Sequence, residues 1–93
     1  MVKIEHVDGK KKGEVVLFAL STCIWCKKTR MFLEELKIDF RYIYVDLLTG
    51  DDKSEVINEI KKWNPQISFP TVVINNKDTI VGFKKDELKE KLL

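Results

Sequence analysis

The stretch "STCIWCKK", residues 21–28, holds both cysteines of the chain, Cys23 and Cys26, with two lysines directly after them. Three kinds of chemistry use such a pair: a structural disulfide, a metal site or a redox couple. As a clamp the pair is poor. A Cys23–Cys26 bridge closes a ring of about four residues, for which chain entropy predicts about 2 kcal/mol, the low end for disulfides. As a metal site it is incomplete. A closed zinc centre takes four Cys, His, Asp or Glu ligands. The single histidine, His6, lies in another element near the N-terminus, so one chain is expected to hold no metal.

The redox reading depends on the elements that position the sulfurs. Val15 to Leu20 is an unbroken apolar run with β-branched and aromatic members, the pattern of a strand buried on both faces. After Ser21 and Thr22 a helical pattern begins, with Ile24, Met31, Phe32 and Leu36 read as its apolar stripe. Cys23 therefore falls at or near the helix N-cap, where free N–H groups and the helix dipole favour a thiolate, and Lys27 and Lys28 add positive charge. Thiolate is the reactive form of cysteine. Cys26 lies three residues on, on nearly the same helix face and within bonding reach. An exposed attacker and a more sheltered resolver follow. Cys23 attacks a disulfide to form a mixed disulfide, and Cys26 then releases the substrate and leaves a Cys23–Cys26 bridge. A C-x-x-C at a strand–helix junction within a βαβ unit is a strong signal for this chemistry.

The remaining elements complete a small α/β domain. "FRYIYVDL" alternates as a second strand, and "LTGDDKSE" leads into a helix whose stripe is Val56, Ile57, Ile60 and Trp63 and which Pro65 ends. Trp63 is expected in the core. "TVVINN" and "TIVGF" form an antiparallel hairpin around "NNKD", and "DELKEKLL" a closing helix. The order is β-α-β-α-β-β-α, with an extra N-terminal strand predicted at Val2 to Val7. The expected fold is a mixed four-stranded sheet flanked by helices on both faces. The 93 residues make one domain, with residues 1–13 as an extension or extra strand.

"QISFPTVV" carries a second signal: Pro70 stands at a strand entrance, where it has no ladder hydrogen bond to give. Taken in order and spacing, "STCIWC", "NPQISFPTVVI" and "VGFKKDEL" resemble glutaredoxins and the wider thioredoxin superfamily, over nearly the whole chain from Glu14 onward. The resemblance implies a thioredoxin-like fold with Cys23 as nucleophile and Cys26 as resolving thiol. It also implies a redox-active Cys23–Cys26 disulfide and Pro70 as a cis proline facing the pair. Phe69, Gly82, Phe83 and Asp86 become the implied substrate-binding set, to which Thr22, Trp25 and Lys84, beside them in the sequence motifs, are added. In it the Phe69 backbone pairs with an extended peptide or thiol, Gly82 and Phe83 form the glycine-containing turn, and Asp86 is the acid opening the last helix. Many glutathione-using members carry lysine three residues before the first cysteine, where this chain has Leu20.

The expected activity is reduction of protein or low-molecular-weight disulfides by a monomer with no bound cofactor. Glutathione, another small thiol or a thioredoxin-reductase-type donor supplies the electrons. The rival from another class is a dimer that bridges an iron–sulfur cluster for transfer. Seventeen Lys and Arg against fifteen Asp and Glu, net +2, give no concentrated basic face for nucleic acid. The longest apolar run, "VVLFAL", is far too short to span a bilayer. The start "MVKIEHVDGK" lacks the apolar segment of a signal peptide, and a cytoplasmic location, where disulfides are transient and catalytic, is expected.

Overall fold

The computed structural model describes residues 4–93. Five strands and three helices follow in the order β1 (Glu5–Val7), β2 (Val15–Ala19), α1 (Ile24–Glu35), β3 (Phe40–Tyr44), α2 (Gly50–Trp63), β4 (Thr71–Ile74), β5 (Asp78–Val81) and α3 (Lys85–Leu92). The sheet order is β1-β3-β2-β4-β5. β2 and β3 are parallel, as the α1 crossover between them requires, and the other three pairings are antiparallel.

The extra N-terminal strand is present, so the sheet has five strands rather than four. Its predicted beginning at Val2 lies outside the described residues. It pairs with β3, not with the strand that follows it, in the register Glu5 to Tyr42 and Val7 to Phe40. "FRYIYVDL" is strand only as far as Tyr44. Val45–Leu47 turns into one 3₁₀ turn, which carries Asp46 toward the end of β2.

The apolar run of β2 serves two cores at once, because strand side chains alternate faces. Val15, Leu17 and Ala19 join Phe32 and Leu33 of α1 and Leu88 and Leu92 of α3 in one cluster. Phe18 points the other way and packs with Ile43, Val73, Val56 and Ile60 under α2. Trp63, expected in the core, is only half-buried at the edge of this second cluster, its Nε1 donating to Glu59 Oε2 at 3.3 Å.

The stripe read on α1 needs correction. Ile24 and Met31 are exposed (59% and 53%), and the buried face is Cys26, Thr29, Phe32 and Leu33. The true face is turned by about 100°, one residue's rotation, from the predicted one. Thr29 can be buried because its hydroxyl donates back to the Trp25 carbonyl at 2.8 Å, and Cys26 counts as a small apolar group.

Candidate active site

β2 ends in the core and delivers the chain to α1 through Leu20, Ser21 and Thr22. Asp46, 25 residues away, ties this strap down. It accepts from the Ser21 amide at 2.8 Å and from the Ser21 hydroxyl at 2.5 Å. The Ser21 hydroxyl is the main reason the Asp46 carboxyl sits below its ordinary pKa, with slight desolvation acting the other way. Sequence reasoning missed Asp46, since only the close of β3 beside β2 brings it to the strap.

Cys23 is the N-cap of α1, with extended backbone (φ −91°, ψ 118°), and its sulfur accepts from the Cys26 amide at 3.1 Å. An N–H that helix geometry leaves unpaired thus points at the sulfur, together with the positive end of the helix dipole. The two thiols are free and differ in setting: Cys23 is half-buried and Cys26 is 1% exposed. Burial first, and the contact with Cys23 second, push the Cys26 thiol from 9.0 up to about 12, while the Leu20 amide acts the other way.

That shift has a sign for stability. The unfolded chain ionises Cys26 near 9.0, but the folded chain keeps it neutral to about 12. Its stabilising contribution is therefore complete below pH 9 and is lost as pH rises toward 12. The urea midpoint of the reduced protein is expected to fall across that window, and Cys26→Ser to remove this part of the fall.

The Phe69–Pro70 peptide bond is cis and Pro70 is buried at the head of β4. The Pro70 carbonyl accepts from the Gly82 amide at 2.9 Å. Gly82 sits at φ +88°, a conformation side-chain-bearing residues rarely adopt. Trp25, Phe69, Pro70, Gly82 and Phe83 line one groove of about 310 Å³. Trp25 is 54% exposed, and its ring lies 6.2 Å from that of Phe83. Cys23, Phe69 and Phe83 all pack on the same core cluster.

Of the implied substrate-binding set, Trp25, Phe69, Gly82 and Phe83 thus meet in one place. Lys84 is close, its Cε 4.0 Å from where a Cβ on Gly82 would stand, but its ammonium pairs with Glu87 at 3.6 Å. Thr22 and Asp86 are exposed and do not line the groove. Leu20 packs against the cluster under α2 and brings no charge.

A second missed residue supports the proline loop. Asn64, 6% exposed at the end of α2, donates through Nδ2 to the Ser68 carbonyl at 3.1 Å and to the Thr71 hydroxyl at 3.2 Å. The Thr71 hydroxyl in turn donates to the Ser68 carbonyl at 2.7 Å. Asn64→Ala leaves buried groups underbonded and is expected to cost about 1–3 kcal/mol, read as a lower urea midpoint with an unchanged slope.

His6, Asp8 and Asp39 are the described residues whose donor atoms lie close enough to share a cation, all within 4.8 Å of one another. There His6 Nε2 is already hydrogen-bonded to Asp39 Oδ1 at 2.8 Å. This bond is the main reason the Asp39 carboxyl lies below its ordinary pKa. The cluster is at the start of β3, the opposite end of the sheet from the cysteines.

The glutaredoxin family model matches residues 15–79, a span that contains both cysteines and Pro70. The chain belongs to the glutaredoxin family. Its members are dithiol–disulfide oxidoreductases. A glutaredoxin-like 8.6 kDa protein of the rubredoxin operon of Clostridium pasteurianum is 35% identical over 74 residues, 80% of this chain and 91% of that protein. The crystal structure of a glutaredoxin from Methanosarcina mazei Go1 superposes with TM-score 0.91 at 47% identity, covering 96% of this chain and 86% of the other. Methanosarcina acetivorans methanoredoxin gives 0.88 at 45% identity, covering 90% and 88%. The thioredoxin-like fold is thereby shared, and the family match starts at β2, leaving β1 outside it. No helix among the described residues is long and apolar enough to cross a membrane.

Proposed function

We propose that the chain reduces disulfides through the Cys23/Cys26 couple. The observation that carries this reading is the asymmetry of the pair: a half-buried Cys23 sulfur accepting from the Cys26 amide in the first turn of α1, beside a buried Cys26 whose thiol is pushed up to about 12. Cys23 attacks as thiolate, one substrate sulfur leaves and takes up a proton, and a mixed disulfide forms. Cys23 sulfur then carries no charge, so the repulsion that helps keep Cys26 protonated is gone. Cys26 loses its proton, attacks the Cys23 sulfur and expels the second substrate thiol. Two electrons have moved to substrate, and the internal disulfide awaits a thiol donor.

The groove of Trp25, Phe69, Pro70, Gly82 and Phe83 receives the residues next to the substrate disulfide, its aromatic walls suited to apolar or extended chain. Glutathione or another small thiol serves as co-substrate, and a thioredoxin-reductase-type enzyme is the alternative donor. No cation stands at Leu20 to take a glutathione carboxylate. A lost charge-assisted contact is worth about 1.5–3 kcal/mol, roughly ten- to a hundredfold in affinity, which favours a donor other than glutathione.

Two measurements test the proposal. Brief alkylation of the reduced protein at neutral pH, followed by peptide mapping, is expected to modify Cys23 and spare Cys26. Equal labelling of both would remove the asymmetry on which the mechanism stands. Disulfide-reduction assays with glutathione, other small thiols and thioredoxin reductase then identify the donor.

A further inference from the structure

Phe83 is shared between the groove at the cysteines and a second, larger one. Between α1 and α3 runs an open trough of about 510 Å³ lined by Lys28, Met31, Phe32, Glu35, Phe83 and Lys85. Its apolar part is aromatic: the rings of Phe32 and Phe83 meet edge-on at 6.0 Å, with Met31 standing 53% exposed beside them. Exposed methionine on an aromatic bed is an adaptable apolar contact.

Two ammonium groups flank this bed. Lys28 Nζ lies 4.9 Å from the centre of the Trp25 ring. Lys85 Nζ lies 5.4 Å from that of Phe32 and 5.8 Å from that of Phe83. Carboxylates pair with Lys11, Lys62, Lys84 and Lys91. Among the described residues, Lys28 and Lys85 have no such partner. Ring faces hold both cations at the trough while leaving them open to an anion.

We propose that this trough docks protein substrates, seating an apolar side chain on Met31 and Phe83 and an acidic one between Lys28 and Lys85. The inference rests on the dithiol function proposed above and adds substrate selection to it. Spacing sets the register. Along α1, Lys28 stands about 7.5 Å and Met31 about 12 Å beyond Cys23, at about 1.5 Å per residue. Extended chain advances about 3.3 Å per residue, so the acid belongs about two residues, and the apolar anchor about four, from the substrate cysteine. Glu35 repels an acid placed further on. A small disulfide without flanking residues does not reach the trough, and its reduction does not depend on it.

The test compares three oxidised probes: a disulfide-linked peptide with Glu two and Leu four residues from its cysteine, the same peptide with Gln for Glu, and bis(2-hydroxyethyl) disulfide. Lys85→Glu and Met31→Glu are combined in one variant. Both place a good helix former on an exposed position, and Lys85 opens α3, where an acid suits the helix dipole. Wild type is expected to show a several-fold lower KM for the Glu peptide than for the Gln peptide. The variant is expected to raise the Glu-peptide KM about tenfold, with kcat unchanged and the difference shrinking in high salt. Bis(2-hydroxyethyl) disulfide turnover stays at the wild-type rate, and Lys85→Arg keeps the wild-type preference. Equal KM values for the two peptides, an unmoved Glu-peptide KM in the variant, or a parallel loss on the small disulfide each overturns the docking role. A wild type that reduces none of the probes overturns the dithiol function and the docking role together.

Discussion

Replacing Cys23 with serine is expected to bring disulfide reduction down to background, at least about a thousandfold below wild type. The substitution separates chemistry from structure. Serine is among the best N-cap residues, and its oxygen can accept the Cys26 amide that the sulfur accepts now at 3.1 Å. The helix start and the fold are therefore expected to survive, with a melting temperature close to wild type. What is lost is the nucleophile, because a hydroxyl does not ionise near neutral pH and oxygen cannot enter thiol–disulfide exchange. Turnover of bis(2-hydroxyethyl) disulfide with a thermal melt as control decides the matter. Retention of even a tenth of the activity would take the nucleophilic role away from Cys23.

Cys26→Ser is expected to fail at a different step. Cys23 keeps its cap position and its exposure, so attack on a protein disulfide proceeds, but nothing then expels the bound half. Intact-mass measurement is expected to show close to one substrate adduct per chain, released by an added reductant, while turnover of the protein disulfide stops. Reactions that end with a small thiol attacking a mixed disulfide on Cys23 are spared, since they never use the second sulfur. Cys26 is 1% exposed, and a buried hydroxyl in its place costs about 1–2 kcal/mol, so the assay belongs well below the melting temperature. An adduct that fails to accumulate, with multiple turnover persisting on a protein disulfide, would mean that Cys26 does not resolve. Together the two variants give the order of events, which neither gives alone.

Much of this site was legible in the linear chain, because its parts are local. The six-residue apolar run ending at Leu20, the strap Ser21-Thr22 and the helix pattern after Cys23 specify a buried strand feeding a helix N-terminus. The cap position of Cys23 follows from that junction alone. The hairpin at "NNKD" was equally readable. Asn75 and Asn76 adopt the positive φ values (55° and 54°) that tight hairpin turns require and that asparagine tolerates.

What the chain did not disclose is whatever depends on which distant surface arrives next to which. Helical spacing on α1 is satisfied equally well by two faces. Packing against β2 and α3 chose the one with Cys26, Thr29 and Leu33, leaving Ile24 exposed and Trp25 and Met31 exposed along the two grooves. Nothing in the linear chain singled out Asp46, inside the run read as a strand, or Asn64, yet one holds the strap before Cys23 and the other the loop before Pro70. β1 joined β3 rather than β2 because both edges of β2 are taken, by β3 and β4, and the free edge belongs to β3. Local sequence sets backbone preference and the identity of the reacting atoms. Burial, long-range hydrogen bonds and the lining of the grooves are properties of the assembled core, and only the tertiary structure decides them.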